Sequence, residues 1–190
     1  MTHLREVFET EAPVALITGS GAPRVGRAIA LRLAAAGCRI ALHAKSSVAE
    51  AESVAEELFA SADQTPMVVS GDLSDPSIPD QIVTNVHDHF GRLDILVNSA
   101  AIWHPTALED VTAEEVKRYF DINAVGSFLC ARSAGLLMVR QSSGGCIVNI
   151  GDWATVRPYL DHAAYFPSKG AVEVMSRSLA VELAHRNRRV

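Results

Sequence analysis

Several features that would mark other classes of protein are missing from this sequence of 190 residues. It has no surplus of basic residues, since its formal net charge is -5, and so offers no basic surface for nucleic acid. No apolar run approaches the ~20 residues that a membrane-spanning helix needs. The charged N-terminal stretch is also unlike a secretory signal peptide. We therefore expect a cytoplasmic protein that binds neither nucleic acid nor membrane.

Cysteine is scarce, and its three occurrences are Cys38, Cys130 and Cys146. An odd number of widely spaced cysteines, each inside an apolar segment, predicts reduced core thiols rather than a disulfide framework. The sequence also contains no repeat, no low-complexity segment and no linker that would divide it. We predict a single domain over residues 1–190, with 1–12 as an N-terminal extension and with no metal site.

What the sequence does contain is an alternation of short apolar strands with helical segments. Strands are predicted over 14–18, 39–43, 67–70, 93–98 and 146–150. Helices are predicted over 25–36, 75–90 and 165–184, and two more begin in capping boxes at Ser47 and Thr112. Continuously apolar strands separated by helices indicate a parallel sheet covered on both faces. We therefore predict an α/β fold, a Rossmann-like doubly wound sheet in three α/β/α layers, with its ligand at the carboxyl ends of the strands.

The first strand ends in a glycine-rich turn, Thr18-Gly-Ser-Gly-Ala-Pro-Arg-Val-Gly26, which leads directly into the first helix. Glycines at such a turn let the backbone approach a pyrophosphate, whose charge is stabilised by the N-terminus of the helix. The position of this loop between a strand and a helix predicts a nucleotide site.

The second strand ends in His43-Ala-Lys-Ser-Ser47, without the carboxylate that a site preferring NAD usually carries there. Lys45, Ser46 and Ser47, together with Arg24 from the glycine loop, can instead hold a 2'-phosphate. The alternative is a solvated turn followed by an N-cap serine. We predict that the cofactor is NADPH rather than NADH.

A tyrosine and a lysine, Tyr165 and Lys169, stand four residues apart at the start of the last predicted helix. On a helix they occupy one face. An ammonium close to a phenol favours the phenolate, so we expect the pKa of Tyr165 to be lowered toward the working pH. Tyr165 is then a candidate proton donor and acceptor. The alternative is an ordinary pair of neighbouring side chains on a helix.

From about residue 12 to its end the chain resembles the short-chain dehydrogenases/reductases. The motifs that carry the resemblance occur in the family's order: the glycine loop Thr18–Gly26, Gly71-Asp72-Leu73, Asn98-Ser-Ala-Ala101, Asn123, and Tyr165 with Lys169. The resemblance implies that Asp72 and Leu73 contact the adenine and that Asn98 supports the sheet and the cofactor. It also implies that Asn123 holds a water in a proton relay to Lys169, and that Asp94 is structural.

The candidate residues follow from these motifs together. Those for the cofactor are Gly19, Gly21, Arg24, Val25, Gly26, His43, Lys45, Ser46, Ser47, Asp72, Leu73, Asn98, Ser99, Ala100, Tyr165 and Lys169. Those for catalysis are Asn123, Asp152, Tyr165 and Lys169.

The sequence departs from the family pattern in four places. The glycine loop is one residue longer and contains Pro23-Arg24, and the usual Asn-Asn-Ala-Gly reads Asn98-Ser-Ala-Ala101. The family's catalytic serine, thirteen residues before the tyrosine, is here Asp152. The sequence stops at Val190, where the family continues into further strands and a substrate-covering segment, so we expect the natural reading frame to continue.

Asp152 is the most informative departure. An ionised carboxylate only accepts hydrogen bonds, so it suits a substrate that presents N–H groups or takes up a proton at nitrogen. The arrangement of Asp152, Tyr165 and Lys169 is similar to that of pteridine and dihydromonapterin reductases, in which an aromatic at the position of Trp103 stacks on the flat pterin. Trp103 and Asp152 are therefore the candidate substrate residues. The alternatives are a loop aromatic that packs on the core and a carboxylate that caps a strand end.

These observations predict an NADPH-dependent oxidoreductase that transfers hydride to a C=N or C=O of a small cyclic substrate such as a pteridine. A general carbonyl or alcohol dehydrogenase of the same family is one alternative, and an inactive cofactor-binding protein is another. In the family the helices equivalent to about 113–140 and 162–185 form an interface between subunits. We therefore expect a homodimer or homotetramer.

Overall fold

The computed structural model describes residues 2–62 and 65–185. The strands of this part are β1 Val14–Ile17, β2 Arg39–Ala44, β3 Met67–Ser70, β4 Ile95–Asn98 and β5 Cys146–Asn149. Its α-helices are α1 Thr2–Val7, α2 Val25–Ala35, α3 Val48–Ala62, α4 Ile78–Phe90, α5 Ala113–Tyr119, α6 Ser127–Met138 and α7 Tyr165–Ala184. The predicted alternation of strands and helices is confirmed.

The strands form one parallel sheet in the order β3-β2-β1-β4-β5. Leu16 at its centre is in register with Ala41 of β2 and Leu96 of β4. The chain leaves β1 toward β2 and β3, then returns to the other side of β1 with β4, so the strand order reverses between β1 and β4. Ligands of open α/β sheets bind at this reversal, outside the carboxyl ends of the strands.

Apolar side chains cover both faces of the sheet. Ile17 and Leu42 point to the cluster that contains α2 and α3. Leu16 and Leu96 point to the cluster of α4 and α6, where Met138 is fully buried. Successive strand residues project to opposite faces, and the helices therefore make the outer layers of the predicted three-layer fold, which is confirmed.

The N-terminal extension is tied to the sheet rather than separate from it. Phe8, just after α1, is buried in the same cluster as α2 and α3. The guanidinium of Arg92 donates to the Phe8 carbonyl over 2.9 Å and forms an ion pair with Asp94 at 2.7 Å. The buried carboxylate of Asp94 also accepts from the Val14 amide, which agrees with its expected structural role.

A π-helical segment, Phe120–Gly126, interrupts the helix expected from Thr112 onward. Thr112 caps α5 as predicted, because its side chain accepts from the Glu115 amide over 3.1 Å. The carboxylate of Glu115 accepts from the Thr106 hydroxyl instead of turning back to the cap. The π segment is a local widening of the helix, a feature found frequently at functional sites.

The cysteines of the described residues are all free thiols. Cys38 and Cys130 are buried as predicted. The prediction is wrong for Cys146, which is exposed together with Val148, because no described helix covers this face of the edge strand β5. In the part of the chain that the structure describes, no helix is both long and apolar enough to cross a membrane.

Candidate active site

The glycine loop is held against the loop that follows β4. Gly19 has φ +64°, and a Cβ there would lie 2.6 Å from the Cα of Ala100, so a larger residue would strain the backbone and clash. The Thr18 hydroxyl oxygen accepts from the amides of Ser99 and Ala100 over 3.0 and 3.1 Å. The ends of β1 and β4 therefore form one surface.

The N-terminus of α2 opens onto this surface. Arg24 is its N-cap residue, is exposed, and makes no side-chain capping bond. Val25 in the first turn is also exposed, whereas Gly26 is buried, and a Cβ there would lie 2.6 Å from the Gly19 carbonyl oxygen. The first amides of α2 thus have no side-chain cap, which suits a phosphate.

His43 lies beneath the glycine loop rather than at its surface. It is 2% exposed; Nδ1 accepts from the Gly19 amide at 3.2 Å, and Nε2 lies 3.1 Å from the Gly71 carbonyl oxygen. Both ring nitrogens are therefore occupied by protein, and the assignment of His43 to the cofactor site from sequence remains a prediction.

Lys45 and Asp72 form an ion pair across the ends of β2 and β3. Burial by itself would raise the pKa of Asp72, but the Lys45 ammonium and the Ser74 amide outweigh it and lower that pKa to about 2. The Lys45 side chain is 52% exposed, so it faces the open side of the site. Ser46 is also exposed.

Two further residues assigned to the cofactor are packed by protein. The side chain of Leu73 is buried in the core cluster of α4 and α6, so that side chain is directed away from the surface. Ser47 is half-buried and packs on Gly21, where a Cβ would lie 2.3 Å from the Ser47 carbonyl oxygen.

Asn98 connects β4 to its neighbours. Its Nδ2 donates to the Ser127 carbonyl over 3.0 Å and to Oδ1 of Asn149 over 2.8 Å. Its Oδ1 is buried and has no hydrogen-bond partner. A buried acceptor without a partner is uncommon, and here it lies at the carboxyl edge of the sheet.

Tyr165 and Asp152 are in direct contact. The Tyr165 hydroxyl donates to Oδ2 of Asp152 over 2.8 Å, and Oδ1 of the same carboxylate accepts from the Ala154 amide over 2.9 Å. Asp152 is thus both the cap of the short helix Trp153–Thr155 and the partner of the tyrosine. Burial first, and then the bond and negative charge of Asp152, raise the pKa of Tyr165 above its ordinary value.

The expected lowering of the Tyr165 pKa by Lys169 is therefore wrong for the free protein. The Lys169 ammonium donates to the Ile150 carbonyl over 2.7 Å. Its own pKa is lowered by burial, an effect partly opposed by the charge of Asp152. The phenol meets the carboxylate, and a neighbouring negative charge disfavours the phenolate.

Asn123, from the π segment, holds the loop after β4. Its amide accepts from the Ile102 amide over 2.8 Å and donates to the Ile102 carbonyl and the Ser168 hydroxyl, each at 3.1 Å. Asn123 thereby links this loop to α7, close to Lys169 in sequence. Its expected role in a water relay remains a prediction.

Trp103 sits in an aromatic cluster that sequence reasoning missed. Its indole is stacked on His162, with ring centroids 4.8 Å apart and planes inclined by 24°. Its N–H donates to the Tyr159 hydroxyl over 3.2 Å. Tyr159 also packs edge-on against Phe166, one residue after Tyr165. The only sequence signal for Tyr159 and His162 was that they are aromatic residues within the stretch 152–169.

Comparisons with known proteins agree with this geometry. The model of the short chain dehydrogenase family matches residues 13–190. A short-chain type dehydrogenase/reductase of Picea abies is 37% identical, over 90% of this chain and 65% of its own length. A 3-oxoacyl-[acyl-carrier-protein] reductase of Synechocystis sp. is 33% identical, over 92% of this chain and 70% of its own. A versicolorin reductase of Aspergillus parasiticus is 33% identical, over 90% of this chain and 64% of its own length.

A solved structure shows the same fold. It is that of a candidate short-chain alcohol dehydrogenase from Sinorhizobium meliloti, with a TM-score of 0.88 and 28% identity, covering 97% of this chain and 71% of its own. The chain thus belongs to the short-chain dehydrogenase/reductase family, a family of NAD(P)-dependent oxidoreductases. It spans less than two thirds of the length of the Picea abies relative.

The residues present fit a nicotinamide dinucleotide. The uncapped start of α2 suits the pyrophosphate, and the half-exposed Lys45 lies at the end of β2, where the adenosine ribose binds in such folds. The unpartnered Oδ1 of Asn98 offers a further acceptor at the same edge of the sheet.

Proposed function

We propose that this protein is an NADPH-dependent reductase of a small, flat, nitrogen-containing ring, a pterin-like substrate. The observation that carries the proposal is the hydrogen bond from Tyr165 to Asp152 at 2.8 Å. It places a fixed acceptor beside the candidate proton donor, where the general family has a serine.

Asp152 supports a substrate with N–H groups for a chemical reason. A carboxylate has about four lone-pair positions and no proton, and the Ala154 amide and the Tyr165 hydroxyl use two of these positions. Positions are left for ring or amino N–H donors. A simple ketone offers no such donor, so it makes no hydrogen bond to the carboxylate.

Trp103 supports a flat substrate. The residue is 49% exposed, yet the orientation of its indole is fixed by the stack on His162 and the hydrogen bond to Tyr159. A large exposed aromatic surface held rigidly gives stacking contacts at a low cost in conformational entropy. Trp103 therefore presents a planar surface one ring away from Tyr165, because His162 stacks on Trp103 and lies edge-on to Tyr165 with ring centroids 6.3 Å apart.

The preference for NADPH rests on charge. No carboxylate follows β2 directly, and Lys45 and Arg24 are cations on exposed parts of the site. Lys45 is paired with Asp72, so a 2'-phosphate would have to compete with that carboxylate for the ammonium. A phosphate carries nearly two charges at neutral pH, which favours it in this competition.

Each residue of the site has a separate role in the proposed reaction. When bound, the nicotinamide supplies the hydride. Tyr165 delivers a proton to the reduced ring, Asp152 orients the substrate and receives its N–H groups, and Lys169 supports the nicotinamide ribose from its buried position. Asn123 holds Ile102, and thereby the segment that carries Trp103.

A second candidate function is a general carbonyl reductase, in which Asp152 serves only as a cap. The names of two relatives favour it, a 3-oxoacyl-[acyl-carrier-protein] reductase and a versicolorin reductase. The capping bond to the Ala154 amide is the structural role that this alternative requires.

Steady-state turnover separates these candidates. We expect the protein to oxidise NADPH in the presence of a dihydropterin faster than in the presence of a simple ketone. Turnover of the ketone alone would support the carbonyl reductase. Binding of NADPH without turnover of either substrate would contradict both functions and indicate a cofactor-binding protein.

A further inference from the structure

His43 connects the loops that follow β1 and β3, at the edge of the sheet proposed to bind the dinucleotide. It lies at the end of β2, between Gly19 of the loop after β1 and Gly71 after β3. The Gly19 amide donates to Nδ1, so Nδ1 carries no proton. The Gly71 carbonyl only accepts, so Nε2 carries the proton. The two contacts together specify one neutral tautomer of the imidazole.

The backbone of His43 reinforces this connection. Its carbonyl accepts from the Ser20 amide over 2.9 Å, and its amide donates to the Ser20 hydroxyl oxygen over 3.1 Å. That hydroxyl donates to the Ile17 carbonyl at the end of β1 over 2.8 Å. The first two residues of the glycine loop that follow Thr18 are thus both bonded to His43.

Protonation of the His43 imidazole would break the hydrogen bond between Nδ1 and the Gly19 amide. A second ring proton turns Nδ1 into a donor that faces the donating amide of Gly19. The imidazolium would also be buried, since His43 is 2% exposed. The charged group that faces His43 is Asp72 after β3, and that carboxylate is already paired with Lys45. The charge on His43 is therefore poorly compensated.

We propose that His43 is a positioning residue for the cofactor, because its neutral imidazole holds the glycine loop to the end of β3 and nucleotide binding requires that neutral form. Gly19 has little room to adjust, because its left-handed backbone packs on Ala100. Displacement of its amide would therefore shift the loop that leads to α2. At the other end of the imidazole, Gly71 precedes Asp72, the partner of Lys45.

The pKa of His43 is shifted in the direction that this role requires. Burial lowers the pKa, and the bond to Gly71 and the charge of Asp72 only partly oppose the shift. The neutral form is therefore the native form at neutral pH. Acidification through and below the ordinary histidine range should release the loop.

Binding of NADPH measured by fluorescence titration between pH 7.5 and 5 tests the inference with three proteins. In the parent, the logarithm of affinity should fall with a limiting slope of about one per pH unit below the His43 pKa, because one proton must leave before the nucleotide binds. His43→Asn keeps an acceptor for the Gly19 amide but cannot titrate, so it should bind more weakly at neutral pH and lack this fall. His89→Asn, at an exposed histidine on α4, should behave like the parent.

Comparing parent and variant with the same nucleotide cancels the titration of the 2'-phosphate, which occurs in the same pH range. Parallel pH curves for the parent and His43→Asn would overturn the inference. If the variant does not fold, the ring-nitrogen chemical shifts of His43 in the parent decide the matter, and a proton on Nδ1 at neutral pH would contradict it. Failure of the parent to bind NADPH at pH 7.5 would instead overturn the proposed function, and the ring-nitrogen shifts would still test the role of His43.

Discussion

The hydroxyl of Tyr165 donates its one proton to Oδ2 of Asp152 over 2.8 Å. Lys169, one helical turn further on, is bonded to the Ile150 carbonyl. The tyrosine of the free protein is therefore a neutral phenol held by a carboxylate. A reaction at this site has to redirect that proton toward the substrate. Substitutions of Tyr165 and of Asp152 test the two partners of this hydrogen bond separately.

Removal of the phenol oxygen should abolish most of the activity. We expect Tyr165→Phe to reduce turnover by roughly 10²–10⁴-fold, the usual contribution of general acid catalysis. Binding of NADPH should persist, because the glycine loop is untouched. Turnover and nucleotide binding measured on the same preparation check both points. A Tyr165→Phe protein as active as the parent would show that the proton comes from elsewhere.

The ionisation of Tyr165 should respond to Asp152. Because burial and the carboxylate raise its pKa, Tyr165 should stay protonated past its ordinary pKa of about 10. Asp152→Asn removes the negative charge but not the burial, so the pKa should fall while staying above the ordinary value. The pKa of Tyr165 is measured in the parent and in Asp152→Asn from tyrosinate absorbance, after subtraction of the absorbance of the same protein with Tyr165→Phe. An identical titration in both proteins would contradict the role given to the carboxylate.

The raised pKa of Tyr165 also affects the stability of the folded protein at high pH. A group whose pKa is raised in the folded state stabilises that state fully below its unfolded pKa, here about 10, and the contribution is lost as the pH rises through the folded pKa. We therefore expect the parent to lose stability above pH ~10 by more than Tyr165→Phe does. Thermal unfolding of the two proteins across this range checks the sign.

Lys45 should be responsible for much of the preference for NADPH over NADH. We expect Lys45→Ala to weaken NADPH binding about tenfold, the lower part of the range for a hydrogen bond to a charged group, because Lys45 is half exposed. Binding of NADH should change little. Lys117→Ala is a matched control, since Lys117 is also an exposed lysine paired with an aspartate, Asp121. Equal affinity of the parent for NADPH and NADH would overturn the assignment.

The sheet and the placement of its loops could be predicted because they depend on patterns within short segments. Continuous apolar strands separated by helices specify a parallel sheet, and parallel strands bring their carboxyl ends to one edge. The sequence therefore places the glycine loop, Lys45 and Asp72 at one edge of the sheet, and Lys45 and Asp72 form an ion pair there.

The contacts of individual polar groups could not be predicted in this way. The spacing of Tyr165 and Lys169 correctly places both at the start of one helix, but it contains no information on the Ile150 carbonyl that binds the ammonium. The partners of Trp103 belong to a loop whose course has no periodic pattern. The π segment depends on one extra residue in a helical turn, which helical periodicity in a sequence does not resolve.

Association through α6 and α7 remains a proposal that the exposed side chains of these helices support. Val174 and Val181 on α7 are 59% and 71% exposed, and Phe128 on α6 is 37% exposed. We expect a dimer or tetramer by light scattering, and a smaller species for the double variant Val174→Glu, Val181→Glu. Val156→Glu is the control, because Val156 is also an exposed valine, at 87%, but lies in the loop after β5. A monomeric parent would contradict the proposal.

The substrate class depends on whether Asp152 has a role beyond its capping bond, and Asp152→Ser separates the two roles. A serine side chain also accepts from a backbone amide at an N-cap, so the bond from the Ala154 amide can be kept. The carboxylate that faces Tyr165 is removed. If Asp152 receives substrate N–H groups, reduction of a dihydropterin should fall by about 10–100-fold, the loss expected for one hydrogen bond to a charged group.

The same variant should leave a simple ketone unaffected or improve its turnover, because the Tyr165 proton no longer has a carboxylate as its acceptor. Asp152→Asn completes the comparison, since it keeps the size of the side chain and removes the charge. Both substrates should be measured on the parent and on both variants at saturating NADPH. If Asp152→Ser reduces dihydropterins as well as the parent does, the carboxylate is only a cap, and the general carbonyl reductase becomes the better description of this site.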